Sequence, residues 1–422
     1  MHDIKFIKEN SKFFDESLEK RGLNPCSKQL INKHEQYLMY LNKKQELQEN
    51  RNNLTKEFKN SSNVEGLKKQ VQTLKKEIEK TTDVTDKLFV ELKKLLLNIP
   101  NLVNIKTPTG VSESDNRVIE EIGGKPIFNF APRDHLSIGE KLKILSYDEA
   151  IKISGGRFSV LKSELAQLNR ALINFFIDHN VNDFDYQEYV VPELVKSSSL
   201  EGTGQLPKFK EDLFETNFND LWLIPTAEVP LTNLNRDSII QKDLLPLRFT
   251  TFTNCFRSEA GASGKDTKGL MREHQFGKVE IVSVTDPDKS SNEFDRMISC
   301  VESILNKLGI SYRKVELCAG DLGFSSSYTI DFEIWMPGQN KYREVSSCSN
   351  CTDFQSRRMK MRFKDKKIED IKYPHTLNGS ALAIGRTIIA ILENYQNQDG
   401  SITVPPVLQD YMNGLKKISH EK

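Results

Sequence analysis

The chain has 422 residues, 37% apolar and 28% charged, and its 60 basic and 59 acidic side chains leave a formal net charge of +1. That length is enough for two or more domains with a sizeable core, and the composition excludes disordered, fibrous and collagen-like proteins. The charge balance offers no whole-chain argument for nucleic acid; with 6 cysteines, and neither a signal peptide nor a membrane span in view, a cytosolic protein with free thiols is expected.

Charge is unevenly spread, with +5 on residues 27–99 and −4 on the rest. Within that segment Leu67, Val71, Leu74, Ile78, Thr81, Thr85, Leu88, Leu92, Leu95 and Ile99 follow one another at spacings of four and three. This is the seam of a coiled-coil helix, softened in its middle by two threonines. The preceding stretch, 28–60, sets Tyr40, Leu47 and Leu54 seven apart, with Tyr37 and Phe58 on a neighbouring track, and is a weaker partner. Residues 60–66 supply the turn. The spacing predicts an antiparallel helical hairpin, each helix about 33 residues and roughly 50 Å long, that reaches well beyond a globular body. Around its tip Lys56, Lys59, Lys68, Lys69, Lys75 and Lys76 face only Glu57 and Glu65. A lysine-rich rod suits phosphate contacts, which depend on charge and not on base sequence; a dimerisation arm or a solvated surface carries the same pattern.

Pro100, Pro108 and Gly110 end the helical pattern, so a boundary near Lys106 divides the chain into 1–106 and 107–422. In 159–177, Leu161, Leu165, Leu168, Leu172, Phe175 and Phe176 recur at helical spacing, which predicts a core-facing helix. Residues 248–256 and 276–284 are β-rich runs joined by a polar, glycine-containing connection; 329–336 and 342–347 form another hairpin around Pro337-Gly338-Gln339-Asn340. Sequential hairpins predict an α+β domain with an antiparallel sheet, against the βαβ repeats of a dinucleotide-binding domain. Arg386 sits in an otherwise apolar helical run, 381–392, where its charge calls for a carboxylate partner. Gly261-Ala262-Ser263-Gly264-Lys265-Asp266 only looks like a phosphate loop, because that spacing needs glycine where Glu259 stands and a hydroxyl where Asp266 stands. Cys348-Ser349-Asn350-Cys351 is a lone CxxC with no second pair, and no zinc is expected.

Five further runs carry chemistry, in this order: Thr226-Ala227-Glu228; Thr253-Asn254-Cys255-Phe256-Arg257-Ser258-Glu259-Ala260-Gly261; Gly269-Leu270-Met271-Arg272-Glu273-His274-Gln275-Phe276; Glu344-Val345-Ser346-Ser347; and Asn378-Gly379-Ser380-Ala381-Leu382-Ala383-Ile384-Gly385-Arg386-Thr387. They resemble the motifs of class II aminoacyl-tRNA synthetases in the form used by bacterial-type seryl-tRNA synthetases. The likeness extends over essentially the whole chain, from the helical hairpin through Val190-Val191-Pro192, similar to the family's motif 1, a dimer-interface element. It implies a class II synthetase-like antiparallel sheet flanked by helices, preceded by the coiled-coil hairpin. It further implies a cytoplasmic homodimer, without membrane attachment, that activates L-serine with ATP and transfers the seryl group to the 3′ end of tRNA(Ser), and of tRNA(Sec) where that exists.

Carried over residue by residue, the resemblance implies catalytic roles for Arg257, Arg386 and Glu344. ATP contacts are implied for Arg257, Ser258, Glu259, Arg272, Glu344, Val345, Ser346, Ser347 and Arg386, with Phe276 stacking on adenine. In the first step the serine carboxylate attacks the α-phosphorus, and a planar guanidinium at Arg257 can bridge carboxylate and phosphate. Arg386 matches the family's γ-phosphate arginine. Glu344 and Ser347 match its Mg²⁺ ligands, a carboxylate and a hydroxyl suited to a hard cation. Serine recognition is implied for Thr226, Ala227, Glu228, Arg257, Glu280 and Ser380. Carboxylates suit its ammonium and a small polar pocket its hydroxyl, but which carboxylate takes which group stays open, and an exposed strand glutamate is the plain alternative for Glu280. The hairpin in this family grips tRNA outside the anticodon, which makes the tip lysines its RNA contacts. Two other functions share these features: a related ligase loading a small amino acid on another carrier, and an inactive RNA-binding paralogue. The arm argues against the first, and intact Arg257, Glu344 and Arg386 against the second. One departure is Pro406 after Pro405, where the family commonly has glutamate.

Overall fold

The computed structural model of the chain describes residues 1–57, 63–261, 269–365 and 368–419, side chains at 368 and 369 excepted. Contacts divide it into two units, Met1–Leu102 and Val103–Lys422.

The first unit is helical: α1 (Ile4–Glu9), α2 (Ser11–Lys20), α3 (Ser27–Glu57) and α4 (Val64–Leu97). The periodicity locates α4 and its seam, for all ten seam residues are buried or half-buried while most residues between them are exposed. Thr81 and Thr85 do not weaken it: they are 7% and 3% exposed, and the Thr85 hydroxyl donates to the Thr81 carbonyl at 2.7 Å, so neither brings an unmet polar group into the seam. On α3 the half-buried track holds Tyr37, Tyr40, Leu47 and Leu54, but also Lys33, Lys44 and Arg51, long side chains whose aliphatic stems suit a seam edge. That is why its pattern is hard to read. Tyr37 packs on Phe89 at 5.7 Å and Lys33 pairs with Glu91 at 2.8 Å, which fixes the register between the helices. Sequence reading missed α1 and α2. They place Ile7, Phe14 and Leu18 against Leu30, Leu92, Leu96 and Ile99, and Asp15 accepts from the backbone N–H groups of Cys26 and Ser27 at the start of α3. Lys56, Lys68, Lys69, Lys75 and Lys76 are exposed; Lys59, Phe58 and the turn at 60–62 lie outside the described residues.

The second unit is built on an eight-stranded sheet. In chain order its strands are β1 (Arg117–Ile122), β2 (Gln187–Glu188), β3 (Leu247–Phe256), β4 (Gln275–Thr285), β5 (Tyr312–Glu316), β6 (Tyr328–Met336), β7 (Lys341–Asn350) and β8 (His375–Ala383), and their spatial order is β1-β5-β6-β7-β8-β4-β3-β2. Every pairing is antiparallel except β2 with β3. Helices α5 (Ser163–Phe184), α6 (Ser290–Leu308) and α7 (Ile384–Asn394) cover one face. Side chains alternate across each strand, so Val279 and Ile281 of β4, Ile330, Phe332 and Ile334 of β6, and Leu377 and Ala381 of β8 meet those helices in one core. The opposite face carries Phe276, Lys278, Glu280, Asp331, Asn378 and Ser380.

Two helix boundaries differ from those expected. Leu161 belongs to a short strand that pairs with Leu145, and α5 begins two residues later at Ser163. The run 381–392 divides after Ala383, because β8 continues to that residue beside β4, and Arg386 therefore falls in the first turn of α7. No helix among the described residues is long and apolar enough to cross a membrane, and all six cysteines carry free thiols.

Candidate active site

The face of the sheet opposite α5, α6 and α7 holds a cavity of about 350 Å³. Two β-bulges shape it. In β7, Ser346 pairs with Phe332 and Glu344 with Glu333, which leaves Val345 unpaired. Residues three apart in a regular strand point to opposite faces, but across this bulge Glu344 and Ser347 both line the cavity. In β8 the register shifts between Ser380, opposite Glu280, and Ala383, opposite Lys278, and these two also share the wall.

One end gathers two carboxylates, an ammonium and a hydroxyl. Thr226 precedes the short helix Glu228–Asn233, and its hydroxyl lies 3.2 Å from Glu280 Oε2 and accepts from Lys278 Nζ at 2.8 Å. Lys278 and Glu280, 7% and 2% exposed, form an ion pair at 2.5 Å, so Glu280 is not the solvated strand glutamate its alternating pattern allows. Glu228 accepts from the Gln355 amide at 2.5 Å and the Asn378 amide at 3.0 Å, both neutral donors. Burial, helped by the charge of Glu280, pushes its carboxyl up to about 7.

The other end gathers three arginines. Arg257 donates from Nε to the Pro225 carbonyl at 3.2 Å, and its guanidinium lies 5.1 Å from the centre of the Phe276 ring. Glu259, in the left-handed region at φ 51°, turns back to pair with Arg272 at 3.1 Å. Arg386 meets the Glu344 carboxylate at 3.3 Å and donates to the Glu344 carbonyl at 2.9 Å. The carboxylate partner expected for Arg386 is thus Glu344 itself. The arginine charge holds the Glu344 carboxyl below its ordinary value, although about half of that side chain, 47%, is open to the cavity. Across the strand pairing from Ser347 stands Asp331, whose Oδ1 is buried without a hydrogen-bond partner among the described residues and whose carboxyl burial pushes up. Glu344 and Ser347 offer the oxygen donors that fit Mg²⁺, a cation that completes its shell with phosphate and water. Among the described residues no three His, Cys, Asp or Glu side chains gather as a metal-binding group.

Of the residues singled out from sequence, the cavity wall unites Thr226, Glu228, Arg257, Glu259, Arg272, Phe276, Glu280, Glu344, Val345, Ser347, Ser380 and Arg386. Three lie elsewhere. Ala227 is fully buried, Ser258 donates its hydroxyl to the Glu211 carbonyl at 2.5 Å, and Ser346 donates to the Ser380 carbonyl at 2.6 Å. Residues 262–266 of the phosphate-loop lookalike lie outside the described residues. Sequence reasoning missed Lys278, Asn378, Gln355, Asp331 and Glu273. Lys278 lies two residues past the quoted Phe276, and its two-residue alternation with Glu280 was the available signal; Asn378 was quoted in the fifth run but given no role. Nothing local marks Gln355 or Asp331. Glu273 was quoted but given no role; it lines the cavity, 7% exposed, with its carboxyl pushed up to about 7 by burial.

Residues 1–103 match the family model described as the seryl-tRNA synthetase N-terminal domain, and 209–395 match the class II tRNA synthetase core domain (G, H, P, S and T). A serine–tRNA ligase of Sinorhizobium fredii is 47% identical over 424 residues, covering 99% of each chain, and one of Paramagnetospirillum magneticum is 46% identical, covering 99% of this chain and 100% of that one. Among solved structures, the seryl-tRNA synthetase of Pyrococcus horikoshii complexed with ATP is 34% identical over 100% of both chains with a TM-score of 0.91. The cytoplasmic serine–tRNA ligase of Naegleria fowleri in complex with AMP is 30% identical, covering 100% of this chain and 99% of that one, with a TM-score of 0.87.

Proposed function

Because this chain belongs to the seryl-tRNA synthetase family of class II synthetases, we propose a division of labour among its cavity residues for the ATP-dependent ligation of serine to tRNA. The activity is that of a serine–tRNA ligase: L-serine and ATP give seryl-adenylate and pyrophosphate, and the seryl group then passes to tRNA. The observation that carries the division is one cavity with an arginine-lined anionic end and a carboxylate-lined cationic end.

At the cationic end Glu280 already has a counter-charge in Lys278, whereas Glu228 has only amide donors. Glu228 therefore takes the serine ammonium, and Glu280, Thr226 and Ser380 surround the hydroxyl. Loss of that hydroxyl from a substrate leaves buried polar groups unmet, which disfavours alanine and glycine; threonine is refused by its added methyl. At the anionic end Arg257 bridges the serine carboxylate and the α-phosphate while an oxygen–phosphorus bond forms and pyrophosphate departs with the electrons of the broken bond. Phe276 stacks on adenine, Glu259 and Arg272 border it, and Arg386 receives the γ-phosphate by exchanging Glu344 for it. Glu344 and Ser347 would hold Mg²⁺, which supplies neutralisation of charge on the phosphate oxygens.

Residues 1–106 are assigned to tRNA binding and 107–422 to catalysis, with Lys56, Lys68, Lys69, Lys75 and Lys76 against the phosphates of tRNA(Ser), and of tRNA(Sec) where a cell makes it. A homodimer in the cytoplasm is part of the same reading; Val190 in the motif 1 segment, 95% exposed, supports an interface there.

The direct test is ATP–pyrophosphate exchange with Mg²⁺ and each of the twenty amino acids supplied singly, without tRNA. Serine alone should support exchange, and exchange with a different amino acid would overturn the pocket assignment. The Glu228 role has its own signature. Its carboxyl is raised to about 7 in the free protein, and an ammonium binds only the ionised form. The KM for serine should therefore fall as pH rises through about 7 and level off above it. Glu228→Gln should raise the KM and flatten the profile. A wild-type profile already flat in this range rules out Glu228 as the ammonium partner.

A further inference from the structure

The Glu228 carboxylate is held through one oxygen. The Asn378 and Gln355 amides both donate to its Oε1, and among the described residues none donates to Oε2. Asn378 belongs to β8, but Gln355 comes from a separate element, the short helix Phe354–Met359 that follows β7. Gln355 is fully buried, and both ends of its amide are committed. Its Nε2 donates to Glu228 at 2.5 Å and to the Thr203 carbonyl at 3.2 Å, while its Oε1 accepts from the Thr376 hydroxyl at 2.7 Å. A reversed amide would set Oε1 against two acceptors, so these partners admit only one sense.

The amide has little freedom to follow the carboxylate. The Thr203 carbonyl is also tethered by the Ser325 hydroxyl at 2.6 Å, and Arg358, on the same helix as Gln355, donates to the Glu201 carbonyl at 3.0 Å. Thr376 is fixed in β8, where its backbone pairs with Cys351 and Thr352. Glu228 must therefore adjust to Gln355. The neutrality of this donor matters as well. The charged groups that act on Glu228 are Glu280 and Lys278 of β4 and Arg257 after β3, and Lys278 already pairs with Glu280. A cation at position 355 would hold the carboxylate but cancel the charge that attracts a substrate ammonium, whereas an amide holds it and leaves the charge in place.

We propose that Gln355 is a positioning residue of the serine pocket: its amide, set in sense by Thr376, turns Glu228 so that the oxygen left bare meets the serine ammonium. This inference rests on the assignment of that ammonium to Glu228. Gln355 itself touches no substrate. It also favours the ionised carboxylate, in opposition to burial and to the charge of Glu280.

The test is serine-dependent pyrophosphate exchange by the full chain as a function of pH, with a thermal scan of each variant. In wild type the KM for serine should fall with a midpoint near pH 7. Gln355→Met, close in length but without the donor, should move that midpoint up by about one pH unit, the worth of one hydrogen bond to a charged acceptor. The KM for serine at pH 7 then rises roughly fivefold, while kcat and the KM for ATP move far less. Thr376→Val should shift the midpoint in the same direction by less, and should add nothing in the Gln355→Met background, because it acts through the amide. An unmoved midpoint in Gln355→Met overturns the proposal, as does a parallel loss of kcat and both KM values, which marks Gln355 as general support for the fold. If Gln355→Met does not fold, an unmoved midpoint in Thr376→Val is the overturning result. A wild-type profile without the midpoint defeats the Glu228 assignment itself, and absence of serine-dependent exchange defeats the ligase reading; neither is confused with a variant that behaves as wild type.

Discussion

Replacing Arg257 with alanine is expected to slow serine-dependent pyrophosphate exchange by about 10²–10³-fold, the usual cost of removing one pre-positioned donor from developing charge. Arg257 is the only residue of the proposed site assigned to both substrates at once. Its orientation comes from the Pro225 carbonyl at 3.2 Å and the Phe276 ring at 5.1 Å, and neither depends on bound ligand, so the guanidinium is in position before ATP arrives. Its charge also acts on Glu228, Glu280 and Glu344, favouring the ionised form of each. Arg257→Ala therefore removes the bridge and leaves three carboxylates with less compensation, which should raise the KM for ATP as well as lower kcat. Arg257→Lys keeps the charge but loses the planar fork and should recover only part of the rate. The check is exchange kinetics beside a thermal unfolding scan. Near-normal exchange in a folded Arg257→Ala variant would falsify the assigned role.

Removing the helical arm should have the opposite signature, with activation intact and charging abolished. Deleting 28–99 leaves α1 and α2 without Leu30, Leu92, Leu96 and Ile99, so Ile7, Phe14 and Leu18 would be exposed to water. Deleting all of Met1–Leu102 avoids this and follows the division between the two units. Exchange by the remaining unit should stay within a few-fold of the full chain, because every cavity residue lies beyond residue 102. Aminoacylation at sub-saturating tRNA should fall by about 10³-fold or more, the scale of losing several lysine–phosphate contacts. Charging at the full-length rate would show that the arm serves another purpose. Raising salt on the intact enzyme should weaken tRNA use steeply and exchange far less, since the proposed arm contacts are exposed and the cavity ion pairs are shielded.

Much of this molecule is legible along the chain. The spacing from Leu67 to Leu95 specifies α4, because heptad periodicity is a local property. The hairpin of β6 and β7 and the long pair of β3 and β4 follow equally from alternating runs and turn residues. The α3 seam was harder to read because Lys33, Lys44 and Arg51 stand in its half-buried track. Helices α1 and α2 are too short for periodicity to reveal.

The amino-acid sequence alone determined the family, the order of the motifs, the hairpin pattern and most of the residue types that meet in the cavity. Only the tertiary structure decided which of those residues share a wall. Alternation in β4 marks Lys278 and Glu280 as lying on one face, but their burial depends on Thr226, a residue more than fifty positions away that comes to lie over them. The unpaired Val345 and the shift between Ser380 and Ala383 are set by the partner strands, and they bring Glu344 with Ser347, and Ser380 with Ala383, to the same side. Likewise the point where β8 becomes α7 is fixed by how far β4 continues to pair, and that placed Arg386 against Glu344. Periodicity records a residue's relation to its own helix or strand, whereas burial, charge pairing and cavity walls are made by segments distant in the chain.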